Sequence, residues 1–247
     1  MLELNQLKVA RDGDTLVKAL SATLEPGQWL GLLGANGCGK TTLLKSIAGL
    51  WPLTEGQVSY AGACLTSMRP LARAERVAIL VQHNGPTGGL TVEQAVALGA
   101  SPLRGACPDA LEQVLLECEL DDLRRRPLEQ LSGGQLQRTM IAQSLLQQAP
   151  LLLLDEPANH LDIYHLYNIL ERIRARGTTV VASFHDMNLA AQWCDALLLL
   201  GEGRVLGYGS AKQVLTPDKL RQAFRVNTDI HIGTDGQRRV QILGPAR

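Results

Sequence analysis

The chain has no surplus of either charge: 24 Lys and Arg stand against 24 Asp and Glu over its 247 residues. A protein that neutralises a nucleic-acid backbone carries a basic excess, so the balance counts against that partner class. The one basic run, Arg124-Arg125-Arg126, follows Asp121-Asp122 and reads as a solvated turn. No apolar run reaches the roughly 18 to 20 residues that a membrane helix needs. The longest are strand-sized pieces such as Leu151-Leu152-Leu153-Leu154 and Ala196 to Leu200. Met1-Leu2-Glu3-Leu4-Asn5 lacks the charged and apolar regions of a signal peptide. The five cysteines are scattered without C-x-x-C or metal spacing, a pattern of reduced thiols. Internal repeats and low-complexity segments are also missing. A soluble, cytoplasmic protein is expected, with any membrane part supplied by another chain.

What is there is an alternation of strand and helix. The first thirty residues alternate apolar and polar positions around turns at Asp12-Gly13-Asp14 and Pro26-Gly27, an antiparallel pattern. Trp29 to Leu33 predicts a buried strand entering a Gly-rich loop, and Thr41 to Leu50 the helix leaving it. Further strands are expected at Gly56 to Tyr60, Val77 to Val81, Leu151 to Leu154, Thr178 to Phe184 and Ala196 to Leu200. Helices are expected from Ser132, at Ile163 to Arg176 and at Met187 to Cys194. Residues 84–127 differ in texture: a Gly-rich loop, a capping box at Thr91-Val92-Glu93-Gln94, then an amphipathic helix over Pro108 to Leu123. The tail from Thr216 ends in a hairpin around Thr234-Asp235-Gly236. The alternation implies a parallel sheet with covered faces.

Three segments carry chemistry. Gly34-Ala35-Asn36-Gly37-Cys38-Gly39-Lys40-Thr41 fits the P-loop pattern G-x-x-x-x-G-K-[ST], in the strand-to-helix context that it requires. Its N–H groups surround phosphate oxygens, Lys40 adds a charge at the β- and γ-phosphates, and Thr41 offers Mg²⁺ a hydroxyl. Leu151 to Leu154 leads into Asp155-Glu156, where Asp155 suits a Mg²⁺ ligand, direct or through water, and Glu156 the group acting on the attacking water. Leu131-Ser132-Gly133-Gly134-Gln135 is a second phosphate-binding element: a capping Ser, two glycines and a run of helix formers put backbone N–H groups at a positive helix end. Gln82 and His185 each follow a predicted strand, so with the P-loop and Asp155-Glu156 they share the carboxyl edge where open α/β sheets bind ligands.

The P-loop, Gln82, Leu131 to Gln135, Leu151 to Glu156, Leu161-Asp162 and His185 stand in the order and spacing of the ATP-binding-cassette (ABC) ATPases. The chain resembles that family over nearly its whole length. The resemblance implies an α/β P-loop NTPase fold, an ABC-type nucleotide-binding domain with an antiparallel β subdomain and a helical subdomain inserted in the core. Residues 1–83 and 128–215 would form the core, 84–127 the insertion continuing into the signature helix from 132, and 216–247 a C-terminal extension. It implies a head-to-tail homodimer in which ATP lies between Gly34 to Thr42 of one chain and Ser132, Gly133, Gly134, Gln135 and Asp162 of the other. Lys40, Gln82, Glu156 and His185 would be catalytic, and Thr41, Gln82 and Asp155 would hold Mg²⁺. Gln82 and its loop would also feel the transmembrane partner.

His185-Asp186-Met187-Asn188-Leu189-Ala190-Ala191, Trp193-Cys194-Asp195 and Val214-Leu215-Thr216-Pro217 resemble the ATPases of iron–siderophore, haem and cobalamin importers. That implies two copies on the cytoplasmic side of the inner membrane, under two permease subunits fed by a periplasmic binding protein, with no nucleic-acid partner. An iron–siderophore complex is the expected cargo, with cobalamin or haem as the alternative; an exporter ATPase or a non-transport ABC protein fits less well. The sequence departs from the family at Ala10-Arg11-Asp12, where an adenine-stacking aromatic is usual; Arg11 either stacks on the base or is a lone surface charge. Asn159-His160 replaces a commoner small pair, and His160 reads more simply as a surface residue than as a dimer contact. Cys38 is a candidate for thiol reagents that block ATP, and the other cysteines are expected to be packing residues.

Overall fold

The computed structural model describes residues 1–11, 13–80, 88–101, 103, 105, 107–234 and 236–246. Contacts divide it into two compact units, Met1–Ser67 with Thr179–Arg247, and Met68–Thr178.

The first unit opens with β1 (Leu2–Arg11), β2 (Asp14–Leu24) and β3 (Trp29–Leu33), then α1 (Lys40–Ile47), β4 (Glu55–Tyr60) and β5 (Ala63–Cys64). β1 pairs antiparallel with β2 and β4, placing Leu4 opposite Ala22 and Val58. Leu2, Leu4, Leu7 and Val9 are buried from one face of β1 while its bulges absorb the irregular alternation. α1 stops three residues before Leu50 because Gly49 turns to φ +68°, a conformation that favours glycine.

The second unit holds α2 (Pro70–Ala74), β6 (Val77–Leu80), α3 (Val92–Ala97), α4 (Pro108–Glu117), α5 (Gly133–Leu146), β7 (Leu151–Leu154) and α6 (Ile163–Ala175). β6 and β7 pair in parallel, Val77 beside Leu151 and Leu80 beside Leu154, and all four leucines of β7 are buried. The Thr91 capping box is formed, with Gln94 N–H donating to Thr91 Oγ1 at 3.3 Å and Thr91 N–H to Gln94 Oε1 at 3.0 Å. α4 is shorter than the apolar spacing predicts. Glu119 takes φ +52°, and Arg138 of α5 donates to the carbonyls of Cys118 and Glu119 at 2.9 and 2.7 Å, satisfying groups the helix end exposes.

The chain then returns to the first unit as β8 (Thr179–Ser183), α7 (Met187–Trp193), β9 (Ala196–Gly201), β10 (Arg204–Gly209), α8 (Ala211–Val214), α9 (Pro217–Phe224), β11 (Val226–Ile232) and β12 (Arg238–Pro245). β3 lies between β8 and β9, parallel to both, and β10 runs antiparallel on β9. Trp29 stacks on Trp193 with ring centroids 6.0 Å apart, and the Trp29 backbone N–H donates to Asp195 Oδ2 at 2.7 Å. α9 interrupts the expected tail: Pro217 starts it, and Leu220 and Ala223 bury its inner face. The hairpin follows as β11 and β12.

Candidate active site

The residues singled out in the sequence fall into two groups, one in each unit. In the first unit the Gly-rich loop leaves β3 and enters α1. Gly34, Gly37 and Gly39 all have positive φ, and a Cβ on Gly39 would meet Leu16 Cβ at 2.8 Å. Gly34 is equally constrained, since a Cβ there would lie 2.6 Å from Leu200 O. Lys40 is buried, and its Nζ donates to the carbonyls of Gly34 and Ala35 at 2.7 and 3.3 Å. The ammonium is thus held over its own loop. Thr41 is half-buried and Thr42 buried in the first turn of α1. Burial pushes the Cys38 thiol pKa up against the lowering effect of nearby Lys40.

His185 belongs to the same edge. β3 and β8 are parallel neighbours with Leu32 beside Ser183, so the Gly-rich loop and His185 both follow their carboxyl ends. Phe184 N–H donates to Leu32 O at 3.0 Å, and Asp186 then caps α7 by accepting from Asn188 and Leu189 N–H. His185 between them is exposed.

In the second unit Asp155 follows β7 and is 2% exposed, its N–H donating to Leu80 O at 3.0 Å. Glu156 takes φ +52° and is half-buried; Asn159 Nδ2 donates to its Oε2 at 2.5 Å. Gln82 lies outside the described residues. Ser132 caps the 14-residue α5 through a complete box: Gln135 N–H donates to Ser132 Oγ at 3.3 Å, and Ser132 N–H to Gln135 Oε1 at 3.0 Å. The cap opens on a cleft of about 480 Å³ lined by Ser132, Gly134, Arg138, His160, Asp162 and His165, among others. Asp162 caps α6, and the His165 backbone N–H, then its ring, holds the Asp162 carboxyl below its ordinary pKa.

The second unit therefore gathers the helix end at Ser132, the loop after Glu156, and Asp162. Asn159 and His160 belong to that gathering, although the sequence reading gave Asn159 no role and favoured a plain surface position for His160. His160 is exposed, yet it sits against both signature glycines. The signal was their departure from a small pair. Arg11 is not a lone surface charge, since its guanidinium lies 5.8 Å from the centroid of the Trp51 ring. The cysteines also divide: Cys118 is buried as expected, but Cys107 is exposed and Cys64 only half-buried.

A P-loop with its lysine in place and a second, capped helix end form the kit of one family of ATPases, and the comparisons agree. The family described as ABC transporter matches residues 17–159, more than half of the chain. The chain belongs to the ABC transporter family. As an ABC ATPase its activity is ATP hydrolysis coupled to transport. It is 37% identical over 245 residues to the hemin import ATP-binding protein of Bordetella parapertussis, covering 93% of this chain and 94% of that one. It is 35% identical over 243 residues to the cobalamin import ATP-binding protein of Halobacterium salinarum, covering 95% of this chain and 61% of that one. Among solved structures, an inward-facing transporter described as of metal-chelate type matches this ABC ATPase with a TM-score of 0.80 at 22% identity, over 98% of this chain and 97% of that one. A dimeric ATP-binding cassette bound to ADP and phosphate matches with a TM-score of 0.76 at 24% identity, over 85% of this chain and 99% of that one. These likenesses fix the mixed α/β fold of the ABC cassettes. Among the described residues, no helix is long and apolar enough to cross a membrane.

Proposed function

We propose that this chain is the ATP-hydrolysing subunit of an importer for a metal chelate, working as a head-to-tail homodimer beneath two permease subunits. The observation that carries the reading is the capped N-terminus of α5, opening on its cleft while the same chain owns a complete P-loop. One chain has two phosphate-binding helix ends, so a nucleotide held between copies uses one from each.

In this reading Gly34 to Thr42 wrap the phosphates and Lys40 leaves its loop carbonyls for the β- and γ-phosphates. Ser132, Gly133, Gly134, Gln135 and Asp162 of the partner copy close the site. Thr41 and Asp155 are hard oxygen donors suited to Mg²⁺, with Gln82 the third residue assigned to it; the ion when bound would neutralise phosphate charge. Glu156 acts on the attacking water, and His185 supports the phosphoryl charge that develops. ATP favours the closed dimer only by the contacts it adds there, and hydrolysis removes them. Residues 1–83 and 128–215 are proposed as the core, 84–127 as the helical insertion facing the permease, and 216–247 as an extension. The dimer would sit on the cytoplasmic side of the membrane, supplied through a periplasmic binding protein.

The cargo is an iron–siderophore complex, haem or cobalamin. The relatives named for hemin import move haem to the head of that order. Two experiments test the reading. Glu156→Gln is expected to bind ATP and accumulate a dimer on gel filtration without turnover; near-normal phosphate release would refute it. Proteoliposomes carrying the copurified permease are expected to take up one of labelled haem, ferric siderophore or cobalamin, and uptake of none would exclude the chelate class.

A further inference from the structure

The loop from Asp155 to Asp162 connects two parts of the site that serve different nucleotides. At its start, Glu156 has φ +52° and its carboxylate accepts from Asn159 Nδ2 at 2.5 Å. Asn159 N–H also donates to Glu156 O at 3.1 Å, closing a tight turn. Gln137 of α5 donates from Nε2 to the carbonyls of Glu156 and Pro157, both at 3.4 Å, so the signature helix is fastened to this turn. At its far end His160 has φ +64°, a second left-handed residue that is not glycine. A Cβ on Gly133 would meet His160 Cβ and Cγ at 3.3 Å, and one on Gly134 would meet the His160 carbonyl oxygen at 2.8 Å. Two left-handed residues four apart bring the loop back onto the helix end.

We propose that Asn159 and His160 are positioning residues, Asn159 aiming the Glu156 carboxylate and His160 bracing the Gly133–Gly134 backbone. One short loop then ties a chain's own base to the helix end it lends its partner. The assignment rests on the reading of Glu156 as base and of Ser132 to Gln135 as the half-site given in trans. An amide donor at Oε2 fixes the orientation of a carboxylate whose work depends on its aim. His160 acts through contact: its side chain lies against Gly133 and its carbonyl oxygen against Gly134, so a shift of the loop or of the helix end displaces the other.

The test uses the purified full chain. Asn159→Leu keeps the side-chain volume and deletes the donor. It is expected to lower kcat about tenfold while KM for ATP stays within about twofold, because binding contacts are intact. His160→Ala, placed in the Glu156→Gln background where dimers accumulate, is expected to raise the ATP needed for half-maximal dimer about fivefold, read by light scattering. Nucleotide affinity of the monomer, which uses the P-loop, is expected to be unchanged in both and reports intact folding. Wild-type kcat in Asn159→Leu, or an unmoved dimerisation midpoint in His160→Ala, would overturn the proposal. Turnover surviving in Glu156→Gln itself would instead remove the base reading beneath it, so the two failures are distinguishable.

Discussion

Single residues in this chain are set apart by their surroundings more than by their type. Cysteines of equal intrinsic chemistry become thiols of different reactivity. The Ser67 and Thr66 hydroxyls beside Cys64 lower its pKa to about 7, whereas burial pushes Cys118 up to about 12 and raises Cys38. The thiolate is the reactive species. Iodoacetamide at pH 7.5 is therefore expected to label Cys64 first, exposed Cys107 next, Cys38 slowly and Cys118 only after unfolding, as read by peptide mass spectrometry. Two adjacent glycines differ for a similar reason. Alanine gains about 1 kcal/mol of helix propensity at either Gly133 or Gly134. Only at Gly134 does the added methyl meet a backbone oxygen at 2.8 Å; at Gly133 it meets a side chain that can yield. Overpacking costs about 1–3 kcal/mol, so Gly134→Ala is expected to be less stable than Gly133→Ala by about 1–2 kcal/mol in urea unfolding. Equal stabilities would mean the loop moves freely away from the helix.

Elements are set by caps and by what covers them, and that is where sequence reading was strong and where it failed. Strands β7 and β8 and helices α3, α5 and α6 were legible because four-residue apolar runs, capping boxes and 3.6-residue periodicity act within a short window. The early end of α4 was not, because it depends on Arg138, twenty residues away, taking the Cys118 carbonyl. Helix α9 was passed over although Pro217 opens it, since Leu220 and Ala223 are its only buried residues. β10 carries Gly207 and Gly209 and was not anticipated; its strand is set by antiparallel pairing with β9. The P-loop and signature were legible as contiguous motifs, whereas the roles of Asn159 and His160 depend on what they touch. The α6 cap offers a test with a definite sign. Asp162 is held below its ordinary pKa, so its stabilisation is complete above the unfolded value of about 3.9 and is lost as pH falls through the folded value. Asp162→Ala is expected to lower Tm at pH 7, with the gap to wild type narrowing as pH falls below the unfolded value of about 3.9. A gap that persisted there would assign the effect to packing instead.

The whole molecule holds one P-loop and one capped signature helix, and in the proposed head-to-tail pair each active site would be half of one chain and half of the other. This arrangement has a consequence that no single-chain site shares. Lys40→Ala removes the charge at the phosphates, and Ser132→Arg fills the mouth of the cleft at α5 while opposing its helix dipole. Each homodimer of either variant carries the same defect in both sites and is expected to be inactive. In a mixed dimer, both defects fall in one site: the Lys40→Ala loop meets the Ser132→Arg signature there. The other site combines a wild-type loop with a wild-type signature. Equal mixing makes about half the dimers mixed, each with one sound site, so ATPase activity is expected to recover to about a quarter of wild type. A site completed within one chain would give no such recovery, since each variant would remain dead whatever its partner. Activity of the mixture no greater than the sum of the two variants alone would therefore count directly against the shared site. Recovery would place Ser132 and Lys40 of different copies on the same nucleotide.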